Sequence, residues 1–116
     1  MYKQFEPVEP VVEPAETYDT VIYRRRLNLV RELESGRWRP CAGAYANEYG
    51  EHCVLDVGRE LIIREMTGSV MKSFKKFYEA QDCDCLNLVY NNDVGVRQGK
   101  GFAPVIAYLK ALWDIQ

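Results

Sequence analysis

Residues 69–80 read Ser-Val-Met-Lys-Ser-Phe-Lys-Lys-Phe-Tyr-Glu-Ala, and this pattern indicates the fold class. Apolar side chains recur at intervals of three and four residues, while lysines occupy positions between them. The apolar positions are Val70, Met71, Phe74, Phe77 and Tyr78. This spacing predicts an amphipathic helix over 69–80 with its aromatic face in the core.

Two earlier segments have the same helical period. A helix over about 19–34 is predicted because Ile22 and Leu33 fall on one apolar face. A second helix is predicted over about 53–65, with Gly58 in its interior. Glycine costs about 1 kcal/mol of helix propensity relative to alanine, so its presence there indicates a close approach between two helices.

The C-terminal part of the chain combines a loop and a helix. Residues 91–101 are rich in asparagine, aspartate and glycine, which is the composition of a loop. A last helix then starts near Phe102 or Ala103, with Pro104 in its first turn, where the missing N–H has no helical partner to lose. With a second ordered loop at 36–52, these elements predict an all-α fold, a compact single domain of four main helices.

Residues 1–16 differ in composition from the rest of the chain. Pro7, Pro10 and Pro14 each follow a glutamate, and the segment contains four glutamates against one basic residue, Lys3. Such a composition predicts a flexible, extended acidic arm, which could also dock on a partner through its apolar residues. The chain therefore divides into an arm at 1–16 and a single helical domain at 17–116.

Composition and charge exclude several classes of protein. The chain has 116 residues, of which 47% are hydrophobic and 28% charged, and its formal net charge is −2. Without a basic excess it lacks the character of a nucleic-acid-binding protein. No apolar run is long enough to span a membrane, and the N-terminus lacks the pattern of a secretory signal. We therefore expect a cytoplasmic protein.

Four cysteines raise the question of metal binding. Structural zinc sites usually take their cysteines in closely spaced pairs. Here one residue separates Cys83 from Cys85, and eleven residues separate Cys41 from Cys53. In a reducing compartment the simpler interpretation is a set of buried thiols. Zinc held by all four cysteines stays an alternative, and no cofactor is predicted.

The segment 91–101 also carries the side chains of a candidate ligand site. Gly95, Gly99 and Gly101 precede a helix, and a helix N-terminus attracts anions. The order of residues is not that of a Walker loop, so an anion or nucleotide site here is a hypothesis that rests on the helix start and its basic neighbours. The candidate ligand-binding residues are Trp38, Asn92, Asp93, Arg97 and Lys100.

A thiol enzyme is the catalytic hypothesis. Cys53 begins the second predicted helix, a position at which the pKa of a thiol can be lowered. His52 is adjacent, but neighbouring side chains diverge, so adjacency alone makes no thiol–imidazole pair. Cys53 and Asp93 are the candidates for a catalytic role, and no complete catalytic set is present. The sequence therefore favours binding over catalysis.

Short motifs precede the terminal helix in a recognisable order. They are Gly36-Arg37-Trp38, Gly43-Ala44-Tyr45-Ala46, Cys53-Val54-Leu55 and Asn92-Asp93. In this order the chain resembles a family of small uncharacterised bacterial and bacteriophage helical proteins, from which it differs at His52, at Asp56 and in the loop at 95–101. The resemblance implies a helical fold and a bacterial or phage origin, and it implies no activity. It marks Trp38, Cys53, Asn92 and Asp93 as candidate functional residues.

The leading functional prediction is a small cytoplasmic binding or interaction protein. Its partner would be a protein or a small ligand, and it would act on a host factor in the host cytoplasm if a phage encodes it. The first alternative is a small enzyme, or an anion- or nucleotide-binding domain, that uses the 91–101 loop and Cys53. The second is a zinc-binding domain that uses all four cysteines. The sequence leaves the oligomeric state open.

Overall fold

The computed structural model describes residues 17–62, 69–80 and 82–116, and this part of the chain is mainly helical. The predicted arm at 1–16 lies outside the described residues. The elements in chain order are α1 (Tyr18–Glu34), β1 (Arg39–Pro40), β2 (Glu51–His52), α2 (Val54–Leu61), α3 (Val70–Tyr78), α4 (Asp82–Arg97) and α5 (Ala103–Trp113). The all-α fold class is confirmed, with five helices in the described residues where four main helices were predicted.

The additional helix, α4, extends into the region 91–101 that we predicted to be a loop. Residues 91–97 continue the helix, and only the short segment from Gln98 to Phe102 turns the chain towards α5. Leu88, Asn92 and Gly95 share one buried face at intervals of four and three residues. The asparagine and glycine content was misleading because both residues serve packing on this face, and tertiary contacts override weak local propensities.

Helices α2 and α3 pack closely at Gly58, as its position inside a helix predicted. A Cβ atom on Gly58 would lie 2.7 Å from Cε2 of Phe74, closer than real carbon contacts allow. The Tyr78 hydroxyl donates a hydrogen bond of 3.1 Å to the Gly58 carbonyl oxygen. The absence of a side chain at Gly58 therefore lets two aromatic rings of α3 lie against the backbone of α2.

Arginines of α1 hold the C-terminal end of α3. Arg26 Nε donates to the Tyr78 carbonyl oxygen at 2.9 Å, and its guanidinium lies 5.1 Å from the centre of the Trp113 ring. Arg25 lies over the Phe77 ring at 5.0 Å. Arg25 Nη1 also donates a hydrogen bond of 3.4 Å to the Phe77 carbonyl oxygen. Both arginines therefore bind the end of a neighbouring helix, where carbonyl oxygens lack helical partners.

The segment between α1 and α2 folds back on itself through a minimal sheet. Strands β1 and β2 pair in parallel, with Arg39 opposite Glu51, and Ala46 forms an antiparallel bridge with His52. The Cys53 amide then donates to the Tyr45 carbonyl oxygen at 2.8 Å. These bonds fix residues 43–45 beside the first turn of α2, where they form one wall of a cavity.

The core is built from one face of every helix. Leu29, Val54, Phe74, Leu88 and Leu109 are all completely buried in it and come from α1, α2, α3, α4 and α5 respectively. The face at 69–80 that predicted the fold thus meets the faces of the other helices. Among the described helices, none combines the length and the apolar character needed to cross a bilayer.

Candidate ligand-binding cavity

An open cavity of about 820 Å³ lies where four segments of the chain converge. Its walls are the 43–45 segment, the first turn of α2, the start of α3 and one face of α4. Pockets that bind small molecules usually enclose roughly 300–1,000 Å³ and are largely apolar with a few polar groups. This cavity has that size, and its lining has that character.

Helix α4 lines the cavity with a second face, distinct from the face that packs in the core. Leu86, Val89, Tyr90, Asp93 and Arg97 line it and are separated by three, one, three and four residues, so they form one stripe along the helix. The core-facing stripe of Leu88, Asn92 and Gly95 lies beside this one. Helix α4 therefore presents apolar side chains to the core and also to the cavity. The same stripe ends in two charged residues.

Asn92 fixes the position of α4 against the cavity wall. Its Oδ1 accepts a hydrogen bond of 3.0 Å from the Val54 amide, and its Nδ2 donates to the Cys41 carbonyl oxygen at 2.8 Å. Cys53, the N-cap of α2, makes no side-chain cap bond, so Asn92 satisfies an amide of the first turn from a different helix. Asn92 is buried and has its polar atoms engaged, which makes it a structural residue at the edge of the site.

Asp93 and Arg97 are the charged groups of the cavity. Asp93 Oδ1 accepts a hydrogen bond of 3.3 Å from Asn92 Nδ2, and Asp93 is half-buried. Arg97 is exposed at the end of the same stripe. Within the described part of the chain neither side chain forms an ion pair, although residues four apart on a helix can reach one another.

Large apolar side chains surround the opening of the cavity. Leu86 is 69% exposed and Tyr90 is 67% exposed, and both line the cavity. Tyr45 contributes a third large exposed side chain from the opposite wall. Exposed apolar groups that cluster around a concavity are typical of a binding site, whereas isolated ones are common on any surface.

Cys53 lines the cavity as a protonated thiol. Burial raises the pKa of Cys53 to about 11, the opposite direction to the lowered pKa that we expected at a helix start. Cys41 is also buried, and burial raises the pKa of its thiol too. Because the thiolate is the reactive form, Cys53 presents a small apolar group to the cavity at neutral pH.

Two other predicted ligand residues lie away from the cavity lining. Trp38 packs edge-on against His52, with ring centres 5.0 Å apart, and its Nε1 donates to Glu32 at 3.1 Å. Lys100 is exposed in the turn before α5. The predicted set is therefore divided: Asn92, Asp93 and Arg97 lie at the cavity, whereas Trp38 anchors the loop after α1.

The predicted glycine-rich anion loop has a different role in the structure. Gly95 lies inside α4, where a Cβ atom would overlap the carbonyl oxygen of Gly101. Gly99 and Gly101 have φ values of 70° and 57°, which favour glycine in the turn that leads to α5. Helix packing and turn geometry account for these glycines without a bound anion.

His52 pairs with Asp56, one turn further along the chain. His52 Nδ1 lies 2.5 Å from Asp56 Oδ2, and the Arg59 guanidinium lies 2.9 Å from the other carboxylate oxygen. Asp56 is 1% exposed, so both partners compensate a buried charge. This arrangement explains an aspartate at a position where a helix of this pattern would otherwise carry an apolar residue.

The structure describes two of the four cysteine side chains that the zinc hypothesis requires. Among the described residues no group of three or more His, Cys, Asp or Glu side chains is arranged to hold a metal ion. Cys41 and Cys53 are free and buried, and the side chains of Cys83 and Cys85 are outside the described set. The four-cysteine site stays a prediction.

A smaller cavity of about 400 Å³ lies at the start of α1. Tyr18, Ile22 and Tyr23 line it together with Arg26 and Glu79. Arg26 is already engaged with the end of α3, as described above, and Tyr18 donates a hydrogen bond to Glu79. Tyr18, Arg26 and Glu79 therefore have partners within the protein, whereas Arg97 in the larger cavity has none among the described residues.

Sequence reasoning missed the apolar half of the site. Leu86, Val89 and Tyr90 are absent from the predicted site residues, and Met71 belongs to the apolar face that is predicted to lie in the core. A helical wheel over 86–97 contains the missing signal, since it separates a core stripe from a second, mixed stripe. That signal requires α4 to be recognised as a helix first.

Comparisons with protein-family models, curated proteins and solved structures gave no match, so the family resemblance of the motifs stays a prediction.

Proposed function

We propose that this protein is a binding protein whose ligand occupies the cavity between residues 43–45, α2, α3 and α4. The observation that carries the proposal is the second stripe of α4, with Leu86 and Tyr90 exposed at the opening of a cavity of about 820 Å³. Exposing such side chains to water is unfavourable by about 25 cal/mol per Å² of apolar surface. A bound ligand that covers them recovers that free energy.

The chemistry of the lining supports binding more than catalysis. The thiol of Cys53 is protonated at neutral pH, and the described cavity residues include no histidine that could act on it. Among the described residues the hydrogen-bond partner of Asp93 is the Asn92 amide, which forms no recognisable acid–base set with it. The proposal therefore keeps the binding function that the sequence predicted and assigns it to a specific site.

A neutral fluorescent dye, N-phenylnaphthylamine, tests the proposal on the full chain. We expect saturable fluorescence enhancement with one dye per chain. Replacing Tyr90 with alanine should weaken dye binding by roughly tenfold, since about 1.4 kcal/mol of apolar contact corresponds to that factor. The Ala44→Trp variant should weaken dye binding as well, because the introduced indole ring would occupy part of the cavity next to Tyr45.

Tyr49→Ala is the matched control. Tyr49 and Tyr90 are both 67% exposed, but Tyr49 lines neither cavity. Circular dichroism of each variant establishes that it is folded. Dye enhancement that does not saturate, or equal loss of affinity in Tyr49→Ala and Tyr90→Ala, would contradict the proposal.

The acidic arm at 1–16 provides a separate interaction hypothesis. It rests on the sequence alone, because the arm is outside the described residues. Removal of residues 2–16 should leave dye binding unchanged if the cavity is the ligand site. A change in dye affinity on this deletion would mean that the arm takes part in the site.

A further inference from the structure

The geometry points to a specific class of ligand for this cavity: a free α-amino acid with an aromatic or large aliphatic side chain. Asp93 would bind its ammonium group, Arg97 its carboxylate, and the apolar walls its side chain. This inference rests on the proposed function, since it concerns the same cavity. It goes further by naming the head group that the two charged residues select.

The first step is the spacing of the two charges. Asp93 and Arg97 lie one turn apart on the same face of α4, and side chains four residues apart have Cβ atoms about 6 Å from one another. An α-amino acid carries its ammonium and carboxylate groups on a single carbon atom. A group of that size can contact a carboxylate and a guanidinium that are carried one helical turn apart.

The second step is the orientation of the carboxylate. Asn92 is held by hydrogen bonds to the Val54 amide and the Cys41 carbonyl oxygen. Its Nδ2 also donates a hydrogen bond to Asp93 Oδ1. The side chain of Asp93 is thereby directed by a buried, fixed residue. Its other oxygen has no hydrogen-bond partner among the described residues, and Asp93 is one of the residues that line the cavity.

The third step is electrostatic selection. A simple anion near Arg97 would be repelled by the Asp93 carboxylate, and a simple cation near Asp93 would be repelled by the Arg97 guanidinium. A zwitterion meets an opposite charge at both positions and brings no net charge into the site. The half-buried position of Asp93 makes this discrimination stronger than it would be at a fully exposed pair.

The fourth step is the fit of the ligand's side chain. Val54 is completely buried, Met71 and Val89 are half-buried, and the rings of Tyr45 and Tyr90 lie at the opening. Aromatic rings favour stacked or edge-on contacts with other rings, which adds to the free energy of apolar burial. The lining therefore favours an aromatic or large aliphatic side chain over a small or charged one.

Three indole compounds test the head group while the apolar part stays the same. Tryptophan carries both charges, tryptamine lacks the carboxylate, and indolepropionate lacks the ammonium group. Isothermal titration calorimetry on the full chain should give an affinity for tryptophan at least about tenfold higher than for either of the others. That preference should weaken as the salt concentration rises, because salt screens charges near the surface.

Two charge-removing variants assign each contact. Asp93→Asn should remove the preference for tryptophan over indolepropionate, and Arg97→Gln should remove the preference for tryptophan over tryptamine. Arg31→Gln is the matched control, since Arg31 is an exposed arginine in the last turn of α1 and lines neither cavity. Thermal unfolding of each variant establishes that the fold is retained.

The outcomes separate this inference from the proposed function. Equal affinity for the three indoles, or equal effects of Arg97→Gln and Arg31→Gln, would overturn the amino-acid assignment. If dye binding and its dependence on Tyr90 persist in that case, the cavity is still a ligand site and only the ligand class is wrong. Absence of any indole binding while the dye binds likewise overturns this inference alone. If neither the indoles nor the dye bind, the amino-acid assignment and the proposed function are both wrong.

Discussion

At the scale of single residues, polar side chains with fixed partners hold the cavity wall in position. Asn92 joins α4 to the first turn of α2 and to the carbonyl oxygen of Cys41. Asp56 is buried between His52 and Arg59 in a similar way. The sequence identified Asn92 and Asp93 as important, but it assigned both to ligand binding. Only their burial and partners separate the structural asparagine from the open carboxylate beside it.

Replacement of Asn92 with alanine should destabilise the protein by about 2–4 kcal/mol, because a buried amide and a buried carbonyl oxygen would each lose their partner. Urea unfolding followed by circular dichroism measures this change. Asn91→Ala is the control, since among the described residues the Asn91 side chain bonds only to the Asn87 carbonyl oxygen at the surface of the same helix. We expect that control to change stability by less than about 0.5 kcal/mol. Similar stabilities for the two variants would show that the Asn92 bonds are not structural.

Glu32 makes the stability of the folded state depend on pH in the acidic range. Hydrogen bonds from Arg37 and then Trp38 lower the pKa of Glu32 below its ordinary value of 4.5. A carboxylate with a lowered pKa in the folded state contributes stability above the ordinary pKa, and this contribution is lost as the pH falls through the lower, folded-state value. At about pH 7 the Glu32→Gln variant should therefore unfold at a lower temperature than the original chain. The difference should shrink at about pH 3, and a difference that does not change with pH would contradict this account.

At the scale of elements, comparison of α4 with the other helices explains which helices can be predicted from the sequence and which cannot. Helices with one apolar stripe were predicted within a few residues of their observed ends, as α1 and α3 show. Helix α4 has two stripes, one for the core and one for the cavity, so its periodicity is blurred. The glycine and asparagine residues on its core stripe then made 91–97 resemble a loop. The cavity was missed for the same reason.

Gly58 tests the packing between α2 and α3. A Gly58→Ala change should increase helix propensity, yet the added Cβ atom would meet the Phe74 ring at 2.7 Å. We expect the clash to dominate and to cost about 1–3 kcal/mol of stability in urea unfolding. Phe74→Leu on its own should also destabilise, but the double variant should be more stable than the sum of the two single effects predicts. Strict additivity would indicate that the helices separate freely at this point.

At the scale of the whole molecule, the sequence could predict the fold class because helical periodicity is a local property. The cavity depends on four segments that are distant along the chain, from residues 43–45 to Arg97. Their convergence is produced by long-range contacts such as those from Asn92 to Val54 and from Cys53 to Tyr45. No single window of sequence contains that information. Residue types at Asp93 and Arg97 could be selected from the sequence, whereas their apolar surroundings could not.

The most direct test of the central claim is a residue-resolved NMR titration of the full chain with N-phenylnaphthylamine. We expect saturable shifts in the amide signals of Ala44, Val54, Met71, Val89 and Asp93, which surround the larger cavity. Signals of Tyr18 and Ile22, which line the smaller cavity, should stay unchanged. Shifts centred on Tyr18 and Ile22, or no saturable shifts around the larger cavity, would contradict the assignment of this cavity as the binding site.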